Sequence, residues 1–391
     1  MENAERSLAE QTAASQDSRA QGGVVALAGG VGGARLAHGL ALALDAADTA
    51  PGALDAAAAE AADAAVAPAA SAPNARARLT VISNTADDFD LYGLRISPDA
   101  DTVLYTLAGL ANEATGWGVT GDTFTALDQL TRYGEAPWFA LGDRDFATHI
   151  LRTQRLRAGE TPTQVMRAFG RALGVRADLL PMTDDPVATF VQTPDGELAF
   201  QDYFVRRQHA DTVLSVRFAG IERARLPQAT REAIQQAGVI VICPSNPFVS
   251  VAPILAVPGM LATLHSVAAP TVAISPIVGG QAIKGPAAAM LASLGHEVSA
   301  YGVAALYAAR YPGLLHGFVL DQADAADAPR IEALGLRALV ADTIMRDAAA
   351  RERLARETLA FARSLQASLR SSAPVGLRAL TQRPVASEAQ Q

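Results

Sequence analysis

The first stretch of the chain that suits chemistry is Gly29-Gly30-Val31-Gly32-Gly33-Ala34-Arg35. Glycines let a backbone approach a phosphate, and a helix starting there supplies free N–H groups and a positive dipole end. The run is not the dinucleotide fingerprint, because Arg35 stands where GxGxxG needs its third glycine. It is not a Walker A loop either, for want of a GK[ST] ending. Taken alone, it reads as a phosphate cradle or as a tight turn. Two further loops share its character. Pro244-Ser245-Asn246-Pro247-Phe248-Val249-Ser250 offers donors and acceptors to a base or sugar, or is an ordinary turn capped by Ser250. Ser275-Pro276-Ile277-Val278-Gly279-Gly280-Gln281-Ala282-Ile283-Lys284-Gly285-Pro286 carries the single lysine of the chain. A cation between glycine turns suits a phosphate, although a lone lysine is more often just solvated.

An acidic group is more specific. Ser83-Asn84-Thr85-Ala86-Asp87-Asp88-Phe89-Asp90 is followed at short range by Ile96-Ser97-Pro98-Asp99-Ala100-Asp101-Thr102. Carboxylates crowded at one strand end repel each other unless something neutralises them. Hard oxygen ligands suit Mg²⁺, which takes one or two carboxylates together with substrate phosphates. Capping is the plainer alternative, with Ser97 or Asp101 capping a helix that begins at Thr102. It leaves the Asp87-Asp88 pair unexplained. In Leu141-Gly142-Asp143-Arg144-Asp145-Phe146-Ala147-Thr148-His149, Arg144 either meets a ligand phosphate or carbonyl or bridges its flanking aspartates. Trp117 and Trp138, the only tryptophans, offer a stacking face or belong to the core. No Ser/His/Asp elbow or HExxH appears, and spacing alone gives His149 no catalytic role.

The elements that must position these residues follow from periodicity. Val24–Ala28, Leu79–Ile82, Val239–Cys243 and Thr271–Ile274 are apolar runs of buried parallel-strand type. Helical spacing follows the glycine run over Ala34–Leu40. Thr161-Pro162 opens a helix with Val165, Phe169 and Leu173 on its apolar face. Residues 187–205 alternate around Pro194-Asp195-Gly196 as a hairpin. A last helix carries Leu354, Phe361, Leu365 and Leu369 on one face. Strands alternating with helices predict an α/β fold: a Rossmann-like, doubly wound, mostly parallel sheet, in one domain over residues 22–370. A smaller helix-rich α+β subdomain is expected over 115–205. Ligands in such sheets bind at the carboxyl ends of the strands. Residues 45–78 hold 18 alanines, five acids and three prolines without sustained period, and read as an insertion. Residues 1–21 and 371–391 read as disordered tails.

Composition bounds the partners. The chain has 391 residues, half of them hydrophobic, and a formal net charge of −8. The acidic balance gives no reason to expect nucleic acid or an anionic membrane. A single cysteine, Cys243, excludes an internal disulfide framework and a cysteine zinc cluster. No run is long enough for a membrane span, and the N-terminus has no secretory h-region, so the expected location is cytoplasmic. Of the 32 lysine and arginine residues all but Lys284 are arginine, which reads as a coding bias and not as a polyanion partner.

Taken in order, Gly29–Arg35, Asn84–Asp88, Ile96–Thr102, Gly142–Asp145 with Ala147–His149, Pro181-Met182-Thr183-Asp184-Asp185-Pro186, Pro244–Pro247 and Ser275–Ile277 closely resemble the 2-phospho-L-lactate transferase (CofD/FbiA) family of coenzyme F-420 biosynthesis. The resemblance covers roughly residues 23 to 365. It implies transfer of a phospho-acid (phospholactyl, phosphoenolpyruvyl or phosphoglyceryl) from a GDP-activated donor to the ribityl hydroxyl of 7,8-didemethyl-8-hydroxy-5-deazariboflavin (Fo), with release of GMP and need of Mg²⁺. Phosphoryl transfer of this kind needs positioning, a metal and cations, not a covalent nucleophile. By resemblance, Gly29, Gly30, Gly32, Gly33, Arg35, Ser245, Asn246, Pro247, Ser275, Gly279, Gly280 and Lys284 would hold the nucleotide. Asp87, Asp88, Asp99 and Asp101 would hold the metal, with Asp88 or Asp101 also catalytic. Asp101, Arg144 and Trp117 would hold Fo, and a homodimer is implied. The insertion and both tails lie outside the family pattern. Two alternatives stand beside this reading. One is a CofD-like protein that binds a nucleotide-sugar and regulates without chemistry. The other, a dinucleotide oxidoreductase, is opposed by the failed glycine fingerprint and the lack of a suitably spaced ribose-binding acid.

Overall fold

In a computed structural model of the chain, residues 22–48 and 78–372 are described. The expected tails fall outside them apart from residues 371 and 372, and so does the insertion apart from its ends at 45–48 and 78. Seven strands form one sheet, in the order Arg337–Ala341, Gly317–Asp321, Thr271–Ile274, Ala237–Ile242, Gly23–Ala28, Leu79–Ser83 and Asp178–Pro181. Every pairing in it is parallel. The α/β, doubly wound sheet expected from the apolar runs is therefore present.

The central strands are largely apolar because both faces are covered. Along the first strand, Val25 and Leu27 enter one core while Val24, Ala26 and Ala28 enter the other. Helix Gly30–Asp48 covers the second face together with Pro98–Leu107 and Ala348–Ser372. It lies so close to the last helix that a Cβ at Gly39 would collide with the Arg351 carbonyl. Leu354 and Leu365 of that last helix are buried.

Asp178–Pro181, inside the 115–205 segment, is an edge strand of the main sheet. Before it in the chain come helices Thr125–Arg132, Asp143–Arg157 and Pro162–Ala172, the last of which packs against it. The Thr161 hydroxyl accepts from Gln164 N, and the Gln164 side chain accepts from Thr161 N, so the expected start is a complete capping box. The 187–205 hairpin is present as Ala188–Thr193 and Gly196–Ala199, joined by Ser215–Ala219 into a second, antiparallel sheet.

One helix differs from expectation. The helix placed at Thr102 begins at Pro98, with Ser97 at its N-cap but no capping bond from that side chain. Pro98 suits a first helical position, having no N–H to leave unpaired. The Ser97 hydroxyl instead donates to Asp88 Oδ2 at 2.7 Å.

Candidate active site

The order of the main sheet reverses between Gly23–Ala28 and Ala237–Ile242, which are neighbours although more than 200 residues apart. A crevice opens at the carboxyl ends of such strands. There the Ser245 hydroxyl accepts from Gly29 N at 3.1 Å and donates to Gly29 O at 2.8 Å. The glycine run is not a free loop, because the helix begins at Gly30, whose φ of +62° makes the turn. The glycines serve close approach. A Cβ at Gly33 would stand 2.6 Å from Ser245 Oγ, and one at Gly32 would overlap the Pro244 carbonyl.

The acidic group divides into two. Asp99 turns to the glycine helix: it accepts from Asn84 Nδ2 at 2.9 Å, from the Gly30 backbone and from Ser250. Burial nevertheless pushes its carboxyl up to about 6. Asp87 is 5% exposed, and burial and then the Asp99 charge hold its carboxyl well above the usual range. Its Oδ1 is buried with no hydrogen-bond partner. Two buried carboxylates, one raised in part by the other's charge and carrying an orphaned oxygen, form a donor set that fits a hard divalent cation.

Asp88 faces elsewhere. Its Oδ2 takes the Ser97 hydroxyl and lies 3.6 Å from Arg95 Nε. Burial pushes the Asp88 carboxyl up to about 7, against the pull of Arg95. Its Oδ1 is also buried and unpartnered. Asp88 lines a cleft of about 220 Å³ with Arg95, Arg152, Thr183, Val165 and Met166.

Asp101 is committed to a buried cation. Both its oxygens accept from Arg152, one of them at 2.9 Å. Arg152 also donates to His149 Nδ1 at 3.1 Å, and Tyr105 donates to Asp145 Oδ1 at 2.7 Å. Asp101, Asp145 and His149 bring ligand-type atoms within 4.8 Å of one another. The Arg152 charge among them opposes a metal ion there, so Asp87 and Asp99 fit one better.

Other expected ligand contacts are spent inside the protein. Asn246 caps the turn beginning at Pro247 by accepting from Phe248 N at 2.9 Å. Ser275 Oγ donates to Ile277 O at 2.8 Å, and Gly279 N donates to Asp324. Gly280 follows with φ +75°. Arg144 bridges neither flanking aspartate and donates to Thr120 O at 3.2 Å. Asp143 accepts from Ala126 N at 2.9 Å at the start of Thr125–Arg132, while Asp122, in the loop before that helix, accepts from Arg144 N at the start of Asp143–Arg157.

Lys284 Nζ donates to Thr115 O at 2.7 Å, and a Cβ at Gly116 would overlap it and crowd Val31 of the glycine helix. Lys284 thus holds the Thr115–Gly116 turn that lies against Val31, and Trp117, next in that turn, is 44% exposed. Trp138 instead packs with Phe89 and Phe139 at centroid distances of 5.9 and 5.7 Å.

With this geometry in hand, comparison with known proteins is decisive. The family model for 2-phospho-L-lactate transferase CofD matches residues 24–347. The chain belongs to the CofD family. A phosphoenolpyruvate transferase of Streptomyces griseus is 40% identical over 88% of this chain and 99% of its own. A 2-phospho-L-lactate transferase of Methanosarcina acetivorans is 39% identical over 68% of this chain and 85% of its own. A UPF0052-family protein from Bacillus halodurans has the same fold, with a TM-score of 0.54 at 16% identity over 87% of this chain and 99% of its own. CofD-family membership makes the chain a transferase. No described helix is long and apolar enough to cross a membrane.

Several residues of this CofD-family site escape sequence reading. Arg152 follows Asp145 and His149 at helical spacing on one face, and that spacing was its available signal. Arg95 sits in a short hairpin, Phe89–Leu91 with Leu94–Ile96, that no apolar run announces. Glu113 and Arg351 belong to no motif, and Arg351 lies beyond the matched residues 24–347.

Proposed function

We propose that this CofD-family chain transfers a phospho-acid group from a GDP-activated donor to the ribityl hydroxyl of Fo, releasing GMP, in coenzyme F-420 biosynthesis. The observation that carries the reading is the Asp87–Asp99 carboxylate pair beside the amino end of the Gly30–Asp48 helix. A phosphate cradle and a divalent-cation donor set together suit phosphoryl transfer. The relatives named phosphoenolpyruvate transferase match more of the chain than those named 2-phospho-L-lactate transferase. We therefore take the phosphoenolpyruvyl group as the transferred acid.

Asp87 and Asp99 would hold Mg²⁺, which when bound supplies charge stabilisation to the phosphate oxygens. The N–H groups at the start of the glycine helix bind the diphosphate, with Arg35 and Lys284 as cations. Asp88, which lines the cleft and has an unpartnered Oδ1, takes the proton of the attacking hydroxyl. The oxygen–phosphorus bond to Fo forms as the bond to GMP breaks, and GMP leaves with the electron pair. Arg152 is held by Asp101 and keeps a positive charge behind Asp88.

The regulatory alternative has less support, because the curated relatives at about 40% identity are named transferases. The test incubates the protein with Fo, GTP, Mg²⁺ and each of phosphoenolpyruvate, phospholactate and 3-phosphoglycerate, with the matching guanylyltransferase. Mass spectrometry should show Fo carrying a phosphoenolpyruvyl group. No product with any acid, together with no quenching of Fo fluorescence, would sink the proposal.

A further inference from the structure

Three cations and one carboxylate converge beside the glycine helix from four separate elements. Arg35 and His38 lie on that helix, Arg351 on the last helix, Lys284 on the loop after Gln281–Ala282, and Glu113 on the loop after Pro98–Leu107. Glu113 Oε2 accepts from Arg351 Nη2, and Arg35 Nη2 lies 3.4 Å from the same oxygen. His38 Nδ1 is 3.4 Å from Arg351 Nη1. Burial and the Arg351 charge push the His38 pKa down. The charges acting on His38, Glu113 and Lys284 all come from within this set. Three positive groups thus share one negative partner.

The two ends of the contact differ in kind. The Arg351 side chain is 5% exposed, while that of Glu113 is 55% exposed. Arg351 Nε is buried and has no acceptor. A buried guanidinium nitrogen left unpaired is costly and calls for a further acceptor. Glu113 sits on a loop that runs on to Gly116 and Gly118, with φ of +79° and +72°. The buried partner is fixed, and the exposed partner can leave.

We propose that Glu113 is a surrogate anion: it occupies the Arg35–Arg351–Lys284 pocket in the free protein and yields it to the phosphate oxygens of the incoming donor. The inference rests on the proposed function in taking the donor to be a nucleoside diphosphate derivative. No bond is made or broken in the exchange. One carboxylate leaves the cations for water, and an anion of higher charge replaces it. A phosphate group also offers more acceptor oxygens than a carboxylate, enough to include Arg351 Nε. Removing the Glu113 charge takes away a competitor for the pocket.

Calorimetric titration of GDP and of inorganic pyrophosphate into the wild-type protein and Glu113→Gln tests this. The Gln side chain keeps an acceptor oxygen for the buried Arg351, and thermal melts of both proteins establish that each is folded before titration. Loss of an exposed competing charge should tighten binding about three- to tenfold for both probes, with a steeper salt dependence. Unchanged binding of both probes would overturn the inference. Weaker binding would also overturn it, and would make Glu113 a clamp that positions the arginines. Failure of both probes to bind either protein would overturn the inference, because no exchangeable anion site would then exist. Wild-type protein that binds pyrophosphate but not GDP would count against the proposed nucleotide donor, while the variant comparison with pyrophosphate would still decide the exchange.

Discussion

The Asp99 carboxylate lies where a side chain at Gly29 would stand: a Cβ at 29 would come within 2.5 Å of Asp99 Oδ2 and 2.6 Å of Ser250 Cβ. Glycine at 29 is thus a condition for the carboxylate to reach the start of the glycine helix. Gly29→Ala must displace Asp99, Ser250 or the helix start. We expect kcat/KM to fall at least tenfold, a loss of about 1.4 kcal/mol in transition-state stabilisation. Steady-state kinetics at saturating Mg²⁺ check this, and activity within twofold of wild type would contradict the placement of Asp99.

Asp101→Asn should act first on stability. The substitution leaves the Arg152 guanidinium buried without its counter-ion, which typically costs about 3 kcal/mol or more. Urea unfolding measures it. A variant as stable as wild type, yet inactive, would instead return Asp101 to the reacting groups.

The raised carboxylates link pH to metal binding. The folded-state values of Asp88 and Asp99, about 7 and about 6, lie above the unfolded range near about 4. The folded protein then holds more protons than the unfolded chain between those values. The sign is that of a raised acid: the associated stability is present at low pH and is lost as pH rises through about 6 to 7. In EDTA, melting temperature should therefore fall over this window, and less so for Asp99→Asn. Millimolar Mg²⁺ should raise the wild-type melting temperature more at pH 8 than at pH 5. Equal shifts at the two pH values would speak against a metal at Asp87 and Asp99.

Lys284→Ala should weaken GDP binding about three- to tenfold and Fo binding less. The two are separable by calorimetry for GDP and fluorescence quenching for Fo. An equal loss of both would mean that Lys284 acts by holding the Thr115–Trp117 loop through the Thr115 carbonyl.

Much of the fold was legible because burial on both faces leaves mostly apolar residues in strands such as Ala237–Ile242 and Thr271–Ile274. The Thr161 cap was legible because capping is local. The division of the aspartates was not. Asp87 and Asp88 are neighbours in sequence but face different partners, and Asp101 meets an arginine 51 residues away. The roles expected of Asn246 and Ser275 were ambiguous for a related reason. A side chain that suits a ligand also suits its own turn, and here both serve the turn.

The hydroxyl of Ser245 closes on both peptide groups of a residue 216 positions earlier. This has a consequence for how the chain matures on the ribosome. The strand Gly23–Ala28 is central in the sheet, yet one of its neighbours, Ala237–Ile242, is made some 200 residues later. Until then Gly23–Ala28 has an unpaired edge, and such edges invite wrong pairing. A nascent chain stalled before residue 237 should thus be protease-sensitive at its amino-terminal strand, and protection should appear only once the Ser245 segment has emerged.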